Sequence, residues 1–239
     1  MGRTGAIPEG VPMVHASAYQ PLFRDRRDAG RQLASRLVAF AHRDDTLVLG
    51  LPRGGVVVAH EVAQALDAPL DVLVVRKLGA PHNEEFAIGA IASGVVVVDP
   101  DVVRGLQVPP WELEALISRE RRELQRRESR YRGLRPLPSL TDRVVIIVDD
   151  GLATGATMRA AVDAIRERRP AHVITAAPVG AIEACDMMAH VADACVCVAT
   201  PEPFAGVGVW YEDFSQTTDE EVIALLEENR DHRVRAESR

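Results

Sequence analysis

The sequence predicts an α/β fold with an open, mainly parallel twisted sheet flanked by helices. Apolar segments rich in valine, isoleucine and leucine alternate with longer segments of helical periodicity, which is the pattern of parallel strands joined by helical connections. Residues 144–148 form an unbroken β-branched run, as expected of a strand buried on both faces. Glycine-containing turns follow two of the predicted strands, so ligands are expected at the carboxyl edge of the sheet.

The composition argues against several classes of protein. The chain has 239 residues, of which 47% are hydrophobic and 26% charged, which is ordinary for a globular protein with one sizeable core. The net charge of −7 argues against a dedicated nucleic-acid binder. The N-terminus lacks an apolar signal core, and no apolar run approaches the roughly 18–20 residues that span a bilayer. We therefore expect a cytoplasmic protein without nucleic-acid or membrane partners.

The N-terminal segments predict an arm, a helix and the first strand. Residues 1–20 are rich in glycine and proline without periodicity and predict a loose arm. An apolar stripe over 21–41 predicts a helix that covers the sheet. Residues 46–51 predict a strand, and a helix over 56–66 follows the turn at 52–55. This turn holds an arginine and two glycines, so it is either a simple strand–helix connection or an anion site.

The middle of the chain holds two further predicted strands, at 70–75 and 94–98, and a long helix at 111–132. Seven arginines and five glutamates share the polar face of this helix, often three or four residues apart. A solvated helix that pairs its own charges is favoured over an RNA-binding helix, and the helix is also suited to packing against a partner subunit. A proline-rich linker at 133–140 leads to the next strand.

The C-terminal half continues the alternation. The predicted segments are a strand at 144–148, a helix at 158–169, a strand at 172–177, a helix at 181–189 and a strand at 194–199. A loop rich in proline and glycine follows. Thr217 or Thr218, each followed by acidic residues, is expected to cap the last helix, and the tail at 231–239 is expected to fray.

The three cysteines are sparse, odd in number and without the spacing of a disulfide framework, which predicts a reducing compartment. Cys195 and Cys197 stand two apart in a predicted strand, so both face the same way. We expect core thiols rather than a metal site, because no further histidine or cysteine pair has the spacing of metal ligands.

The stretch that follows strand 144–148 carries the clearest chemical signal. Asp149 and Asp150 close the strand, and a turn leads into a helix, so backbone N–H groups surround a point where the helix dipole favours an anion. Thr154 and Thr157 add hydroxyl donors, and Gly155 lets the backbone approach closely. Paired carboxylates accept hydrogen bonds from sugar hydroxyls. The stretch therefore predicts a site for a phosphorylated ribose, whereas no Gly-Lys-Ser/Thr or GxGxxG pattern supports a nucleotide loop of another kind.

This stretch resembles the ribose-phosphate signature of the type I phosphoribosyltransferases, which use phosphoribosyl pyrophosphate (PRPP). The resemblance extends over roughly residues 45–215 and implies the type I fold with a flap loop and a small C-terminal hood. It implies that Asp149 and Asp150 hold the ribose 2′- and 3′-hydroxyls. It assigns the 5′-phosphate to Ala153, Thr154, Gly155, Ala156 and Thr157.

The resemblance also implies a pyrophosphate subsite on the two earlier strand ends. Lys77 is the only lysine in the chain, against 27 arginines among the 28 basic residues. The planar guanidinium of an arginine cannot take the place of its compact ammonium group. The pyrophosphate residues are expected to be Arg53, Gly54, Gly55, Arg76 and Lys77.

A catalytic flap is implied for residues 80–93. The segments 75–79 and 85–89 look most like those of the adenine-type members, whose flap carries a glutamate. Glu85 or Glu84 is therefore a candidate proton handler beside Lys77, and a solvated loop carboxylate is the alternative for either. His82 is expected to be a surface residue.

The hood is expected at 200–216. Three aromatic residues lie within 209–214, so Trp210 and Tyr211 are candidates for stacking on the base, with core packing as the alternative. The 6-oxopurine members carry an aspartate at the position of Ala153. The adenine-type members carry an alanine there, as this chain does.

These observations predict one phosphoribosyltransferase-like domain over 21–230, with 111–132 as a helical insertion. The predicted activity transfers ribose 5-phosphate from PRPP to a nitrogenous base, with purine nucleobases favoured, and releases pyrophosphate. Mg²⁺ is expected to bind through PRPP and not through direct protein ligands. A homodimer is expected. A PRPP-binding regulator without catalysis is the alternative.

Overall fold

The computed structural model describes residues 19–81 and 83–237, with the side chains of 83–86 and 235–237 excepted. The predicted arm at 1–20 and His82 thus lie almost wholly outside the described residues. The strands are β1 (Thr46–Gly50), β2 (Leu70–Val72), β3 (Val75–Ala80), β4 (Asn83–Ala92), β5 (Val95–Val98), β6 (Val144–Val148), β7 (His172–Val179) and β8 (Ala194–Ala199). The helices are α1 (Arg26–Arg36), α2 (Gly54–Leu66), α3 (Pro100–Gly105), α4 (Pro110–Arg132), α5 (Ala156–Arg166), α6 (Ile182–Val191) and α7 (Asp219–Glu237).

The main sheet has five strands in the order β2-β1-β6-β7-β8, and every neighbouring pair is parallel. Its central strands β1 and β6 are buried along their whole length, because helices cover both faces. One core cluster includes residues of α2 and the other residues of α5, on opposite sides of the sheet. The predicted α/β class with an open parallel sheet is confirmed.

A second sheet of three antiparallel strands, β3-β4-β5, was not predicted. The strand predicted at 94–98 belongs to this sheet and not to the parallel one. The physical reason is the short connection: residues 93 and 94 alone join β4 to β5, and a parallel pair needs a crossover of a dozen residues or more. Most of the segment predicted as a flap loop, 80–93, is strand β4 of this sheet.

Helix α4 lies across the small sheet and beside α7. On its exposed face, Glu123 accepts hydrogen bonds of 2.8 Å from both Arg126 and Arg127, so the prediction of a self-paired helix is confirmed. Its inner face buries Leu124 and Arg132. The Arg132 Nε donates to Asp71 at 2.9 Å, which ties the helix to the edge strand β2.

Helix α7 runs to Glu237, whereas a frayed tail was predicted from 231 onward. The side chain of Asn229, on this helix, accepts from the Leu70 amide at 2.9 Å and donates to the Ala68 carbonyl. These bonds satisfy backbone groups at the edge of the main sheet and hold the helix there. None of the helices in the described ranges has the length and apolar character needed to cross a bilayer.

Candidate functional site

The two predicted ligand loops meet at the carboxyl ends of β1 and β6. These strands are paired in register, with Gly50 opposite Val148, so the turn that opens α2 and the acid pair that follows β6 are neighbours. A Cβ atom at Gly55 would lie 2.8 Å from the Val148 carbonyl oxygen and 2.9 Å from the Asp149 Cα. A Cβ atom at Gly54 would overlap the Asp150 carboxylate. Only glycine allows this approach, and it makes the two loops one site.

The two carboxylates of the acid pair differ in environment. Removal from water and the nearby Asp150 carboxylate raise the pKa of Asp149 well above its usual value. The Asp150 carboxylate instead accepts a 2.8 Å hydrogen bond from Arg26 Nε. The backbone N–H of Asp150 donates to Asp149 Oδ1 at 2.9 Å, and this bond holds the Asp149 carboxylate against the backbone of Asp150. The pair is therefore one ion-paired acid beside one that readily holds a proton.

Arg26 is a site residue that the sequence analysis missed. Its side chain is 11% exposed, and besides Asp150 it donates to the Ser215 carbonyl at 2.7 Å. The guanidinium carbon lies 3.9 Å from the centre of the Phe214 ring, a cation–π contact. Arg26 thus joins α1, the acid pair and the C-terminal segment. Residues so far apart in sequence leave no local pattern, so nothing in the sequence indicated Arg26.

Replacement of Arg26 by alanine is expected to destabilise the fold as well as the site. The change leaves Asp150 without its charged donor, and a hydrogen bond to a charged group is worth about 1.5–3 kcal/mol. For a domain of this size that loss lowers Tm by about 3–12 °C, which thermal unfolding at neutral pH would measure. Arg24→Ala is the matched control, because this neighbouring side chain is 68% exposed. Equal Tm values for the two variants would contradict the role given to Arg26.

The predicted phosphate loop, 153–157, opens helix α5. Gly155 precedes the first helical residue with a φ of +69°, a conformation that favours glycine. Gly155 has no side chain to cap the helix, and the Ala156 N–H donates a long bond of 3.4 Å to the Thr154 hydroxyl. The N–H groups of the first turn that follow Ala156 are suited to an anion. The side chains of Thr154 and Thr157 are exposed beside them. The geometry is that of an anion cradle next to the acid pair.

The predicted pyrophosphate residues are only partly brought together. Gly54 and Gly55 lie against the acid pair, and Arg53 precedes them at the start of α2. Arg76 is different: it donates to Glu120 of α4 at 2.8 Å, and Glu120 is only 5% exposed. Its assignment to pyrophosphate stays a prediction, and in this structure its charge is balanced by a buried carboxylate.

Lys77 points the other way from Arg76, because successive residues of a strand face opposite sides. It is exposed, and Val75, on the same side of β3, packs into the cluster that contains Met158 of α5. Lys77 therefore lies on the α5 side of the small sheet, the side of the phosphate loop. Glu84 and Glu85 are in β4, but their side chains are outside the described part of the structure.

Helix α4 brings more positive charge to the pyrophosphate turn. Arg53 lines a cleft of about 310 Å³ together with Arg126, Arg127 and Arg130 of α4. The α4 arginines have acidic partners: Glu123 bridges two of them, and Arg130 pairs with Asp219 at 3.0 Å. Sequence spacing had indicated only the self-pairing of this helix and not its position beside Arg53.

Trp210 and Tyr211 do not form a platform for a base. They are 6% and 4% exposed and pack with Phe23 in a core cluster, so the core-packing alternative holds. The Tyr211 hydroxyl donates to the Asp150 backbone carbonyl at 2.6 Å, and this bond helps to hold the backbone of the acid pair in place. The predicted stacking role is wrong because the short helical turn that carries Trp210 folds inward.

A different aromatic residue of the hood borders open space. Phe204 is half-buried and lines a cleft of about 500 Å³ that also contacts Ala153 and Thr154 of the phosphate loop. Glu183 and Glu202 stand at the same cleft. The sequence signal for Phe204 was weak, since a single aromatic residue between prolines and glycines is also typical of an ordinary surface loop.

A parallel α/β sheet places an anion cradle, an acid pair and a glycine turn at one carboxyl edge, an arrangement suited to a phosphorylated sugar. Comparison with known proteins agrees. The phosphoribosyl transferase domain model matches residues 25–211. A Mycobacterium tuberculosis protein whose name places it provisionally among the phosphoribosyl transferases is 50% identical over 218 residues, 91% of this chain and 48% of that protein. The chain thus spans about half the length of this relative.

Two other similar proteins match different shares of this chain. The crystal structure of TT1426 from Thermus thermophilus superposes with a TM-score of 0.78 and 45% identity, covering 86% of this chain and 98% of that one. The bifunctional protein PyrR of Chloroflexus aurantiacus is 33% identical over 119 residues, 48% of this chain and 60% of that protein. The chain belongs to the phosphoribosyl transferase family, and the predictions of type I membership and of the fold class are confirmed.

Proposed function

We propose that the protein transfers ribose 5-phosphate from PRPP to a nitrogenous base and releases pyrophosphate. The observation that carries the proposal is the contact between the Gly54–Gly55 turn and the Asp149–Asp150 pair. PRPP carries pyrophosphate on C1 next to its ribose hydroxyls, so its two subsites must touch. In the reaction the bond between C1 and the pyrophosphate oxygen breaks, a nitrogen of the base bonds to C1, and the ring passes through an oxocarbenium-like state.

The roles follow from the environments of the residues. The Asp149 and Asp150 carboxylates accept hydrogen bonds from the ribose hydroxyls, and residues 153–157 bind the 5′-phosphate through backbone N–H groups and hydroxyls. Arg53 and Lys77 balance the charge that grows on pyrophosphate as it leaves. The proton that the base loses goes to solvent or to Glu85 of β4, the carboxylate proposed as the proton acceptor.

Mg²⁺ is proposed to bind through the oxygens of PRPP and water. Apart from the cysteines, the described residues bring no three potential metal ligands of the histidine, cysteine or carboxylate type together. The residues therefore fit an ion that the substrate carries, since Mg²⁺ commonly binds phosphates, few carboxylates and several waters. When bound, the ion neutralises charge on the pyrophosphate group.

Substitution of Lys77 tests its proposed role at the departing charge. An interaction that strengthens in the transition state acts on turnover more than on substrate binding. Lys77→Arg keeps the charge but changes its geometry, so kcat is expected to fall about tenfold or more, because small misplacements are costly at this step, with a modest change in PRPP affinity. Lys77→Ala is expected to lower both. Full turnover of Lys77→Arg at saturating PRPP would remove Lys77 from the site.

We propose that the base binds in the cleft between Phe204 and the phosphate loop. Base–aromatic stacking is worth about 1–3 kcal/mol. Glu183 and Glu202 at this cleft offer acceptors to N–H groups of the base, which favours a base that carries an exocyclic amine, as adenine does. Such an acceptor would place the protein in nucleotide salvage.

Phe204→Ala is expected to raise KM for the base about tenfold and to leave PRPP affinity unchanged, because the loss is confined to stacking. Val209→Ala is the control, an exposed residue of the same segment that does not line the cleft. Trp210→Phe should alter Tm more than KM, since Trp210 is part of the core. A KM change in Trp210→Phe with none in Phe204→Ala, both from steady-state kinetics, would reverse the assignment.

A pyrophosphate-release assay with PRPP, Mg²⁺ and a panel of bases tests the function. Release that depends on one base would establish the reaction and name the acceptor. PRPP binding without release on any base would favour the alternative, a PRPP-binding regulator. A cytoplasmic location and a homodimer remain part of the proposal.

A further inference from the structure

All three cysteines of the chain meet at one place outside the proposed PRPP site. Cys185 of α6 faces Cys195 and Cys197 of β8, and the three sulfur atoms lie within 4.8 Å of one another. The Cys185 and Cys197 sulfurs are 3.0 Å apart. All three thiols are free and half-buried. Sequence spacing paired Cys195 with Cys197 on one strand face, and only the packing of α6 on β8 adds Cys185.

Each of the three cysteine residues keeps some exposure to solvent, unlike a cysteine that is fully enclosed in a core. No other group of three potential ligands of this kind occurs in the described ranges. A thiolate is the form of cysteine that binds metals.

The spacing of the sulfurs suits one shared ion. With metal–sulfur bonds of about 2.3 Å, thiolates around a single ion stand about 4 Å apart. The observed sulfur–sulfur separations run from 3.0 Å to less than 4.8 Å. Side-chain rotations that move the sulfur atoms by about 1 Å are therefore sufficient to surround one ion. Among the residues that the structure describes, no fourth histidine, cysteine or carboxylate belongs to the group, which leaves a three-coordinate ion or a fourth position for water or a small ligand.

We propose that Cys185, Cys195 and Cys197 form a binding site for one soft, thiophilic metal ion of the Zn²⁺ or Cu⁺ type. Three sulfur donors select such ions over Mg²⁺. The site adjoins the PRPP loop without overlapping it: a Cβ at Gly180 would lie 2.6 Å from the Cys185 sulfur and 3.2 Å from the Leu152 Cβ. The Leu152 amide donates to the Val179 carbonyl at 2.9 Å, so the strand beside the cluster is hydrogen-bonded to the turn that precedes the phosphate loop.

The test is a metal titration of the full chain, reduced and kept free of oxygen. Zn²⁺ in competition with a chromophoric chelator is expected to bind at one ion per chain, and Cd²⁺ is expected to give the ultraviolet charge-transfer band of thiolate coordination. Each of Cys185→Ser, Cys195→Ser and Cys197→Ser should weaken Zn²⁺ binding about 100-fold or more, at least as much as loss of a supporting residue does. His190→Gln, an exposed change on the same helix, should leave binding intact.

Three results would overturn the proposal. These are no thiolate band with Cd²⁺ in the wild-type protein, Zn²⁺ binding that persists in all three serine variants, or loss of binding in His190→Gln. The Cd²⁺ band needs no variant, so it decides the matter even where a serine variant fails to fold. A Cys185–Cys197 disulfide that forms with peroxide, in a protein that takes up no ion when reduced, would instead indicate a redox pair. None of these measurements depends on PRPP turnover.

Discussion

Replacing Gly55 by alanine is expected to lower kcat/KM about 100-fold or more while the fold persists. The new methyl group would stand 2.8 Å from the Val148 carbonyl oxygen and 2.9 Å from the Asp149 Cα. Both are backbone atoms, so the start of α2 must move away from the end of β6. A misplacement of about 1 Å in a catalytic arrangement costs on the order of 100-fold, and pyrophosphate release would measure it.

Two further glycine substitutions sharpen this result. Gly105→Ala is the matched control, because a Cβ atom there meets nothing within 4 Å, and it should leave turnover unchanged. Gly54→Ala directs its methyl group at the Asp150 carboxylate, a side chain that can turn aside, so its effect should be smaller and should include loss of the Arg26 contact. Wild-type kcat/KM in Gly55→Ala would contradict the claim that the two loops form one site.

The second large effect is expected at the acid pair, where Asp149→Asn and Asp150→Asn should each weaken PRPP binding about tenfold or more. A hydrogen bond to a charged group is worth about 1.5–3 kcal/mol, and each variant loses one such acceptor for the ribose. Calorimetry with PRPP would measure the affinity. Asp163→Asn, another partly desolvated acid on helix α5, is the control and should bind PRPP like the wild type.

The two variants should differ in stability, and the sign follows from the pKa of Asp149. Its folded pKa is raised, so the favourable contribution of this group to folding is complete below its unfolded pKa of about 3.9 and is lost as pH rises through the folded value. Asp149→Asn should therefore be more stable than the wild type at neutral pH, by about 1 kcal/mol or 2–4 °C in Tm. The gain should vanish in acid.

Asp150→Asn should be less stable than the wild type at neutral pH, because it weakens the charged bond with Arg26. Unfolding curves for both variants at acid and neutral pH give the comparison. Equal stability of Asp149→Asn and the wild type across that range would show that the Asp149 carboxylate carries no desolvation cost. The wild-type affinity for PRPP should rise with pH through the pKa of Asp149, and that of Asp149→Asn should not.

The parts of the fold that could be predicted are those that local pattern determines. An unbroken β-branched run such as 144–148 identifies a buried strand, and the acid pair and turn after it identify the site, because both signals lie within one short stretch. The small antiparallel sheet was missed for two reasons. Strands β3 and β4 carry charged residues, and most of β4 was assigned to a flap loop. Strand β5 is an apolar run like that of a parallel sheet, and only the length of its connection to β4 separates the two cases.

The features that could not be predicted come from residues distant in sequence. Arg26 reaches Asp150 across 124 positions, and Cys185 reaches Cys197 only because α6 packs on β8. Trp210 shows the opposite failure: its aromatic neighbours suggested an exposed platform, and burial of the segment against Phe23 decided otherwise. Arg76 has the expected charge at a strand end, and its partner, a glutamate of α4, was not predicted.

Calorimetry with PRPP, ribose 5-phosphate and pyrophosphate, each in the presence of Mg²⁺, tests the central claim most directly. If the Gly54–Gly55 turn and the Asp149–Asp150 loop form one continuous site, PRPP should bind at least about 100-fold more tightly than either fragment, because linking two groups that fit adjoining subsites multiplies affinity. Each fragment should also be displaced by PRPP. PRPP affinity no greater than that of ribose 5-phosphate, or pyrophosphate that PRPP fails to displace, would contradict a single PRPP site.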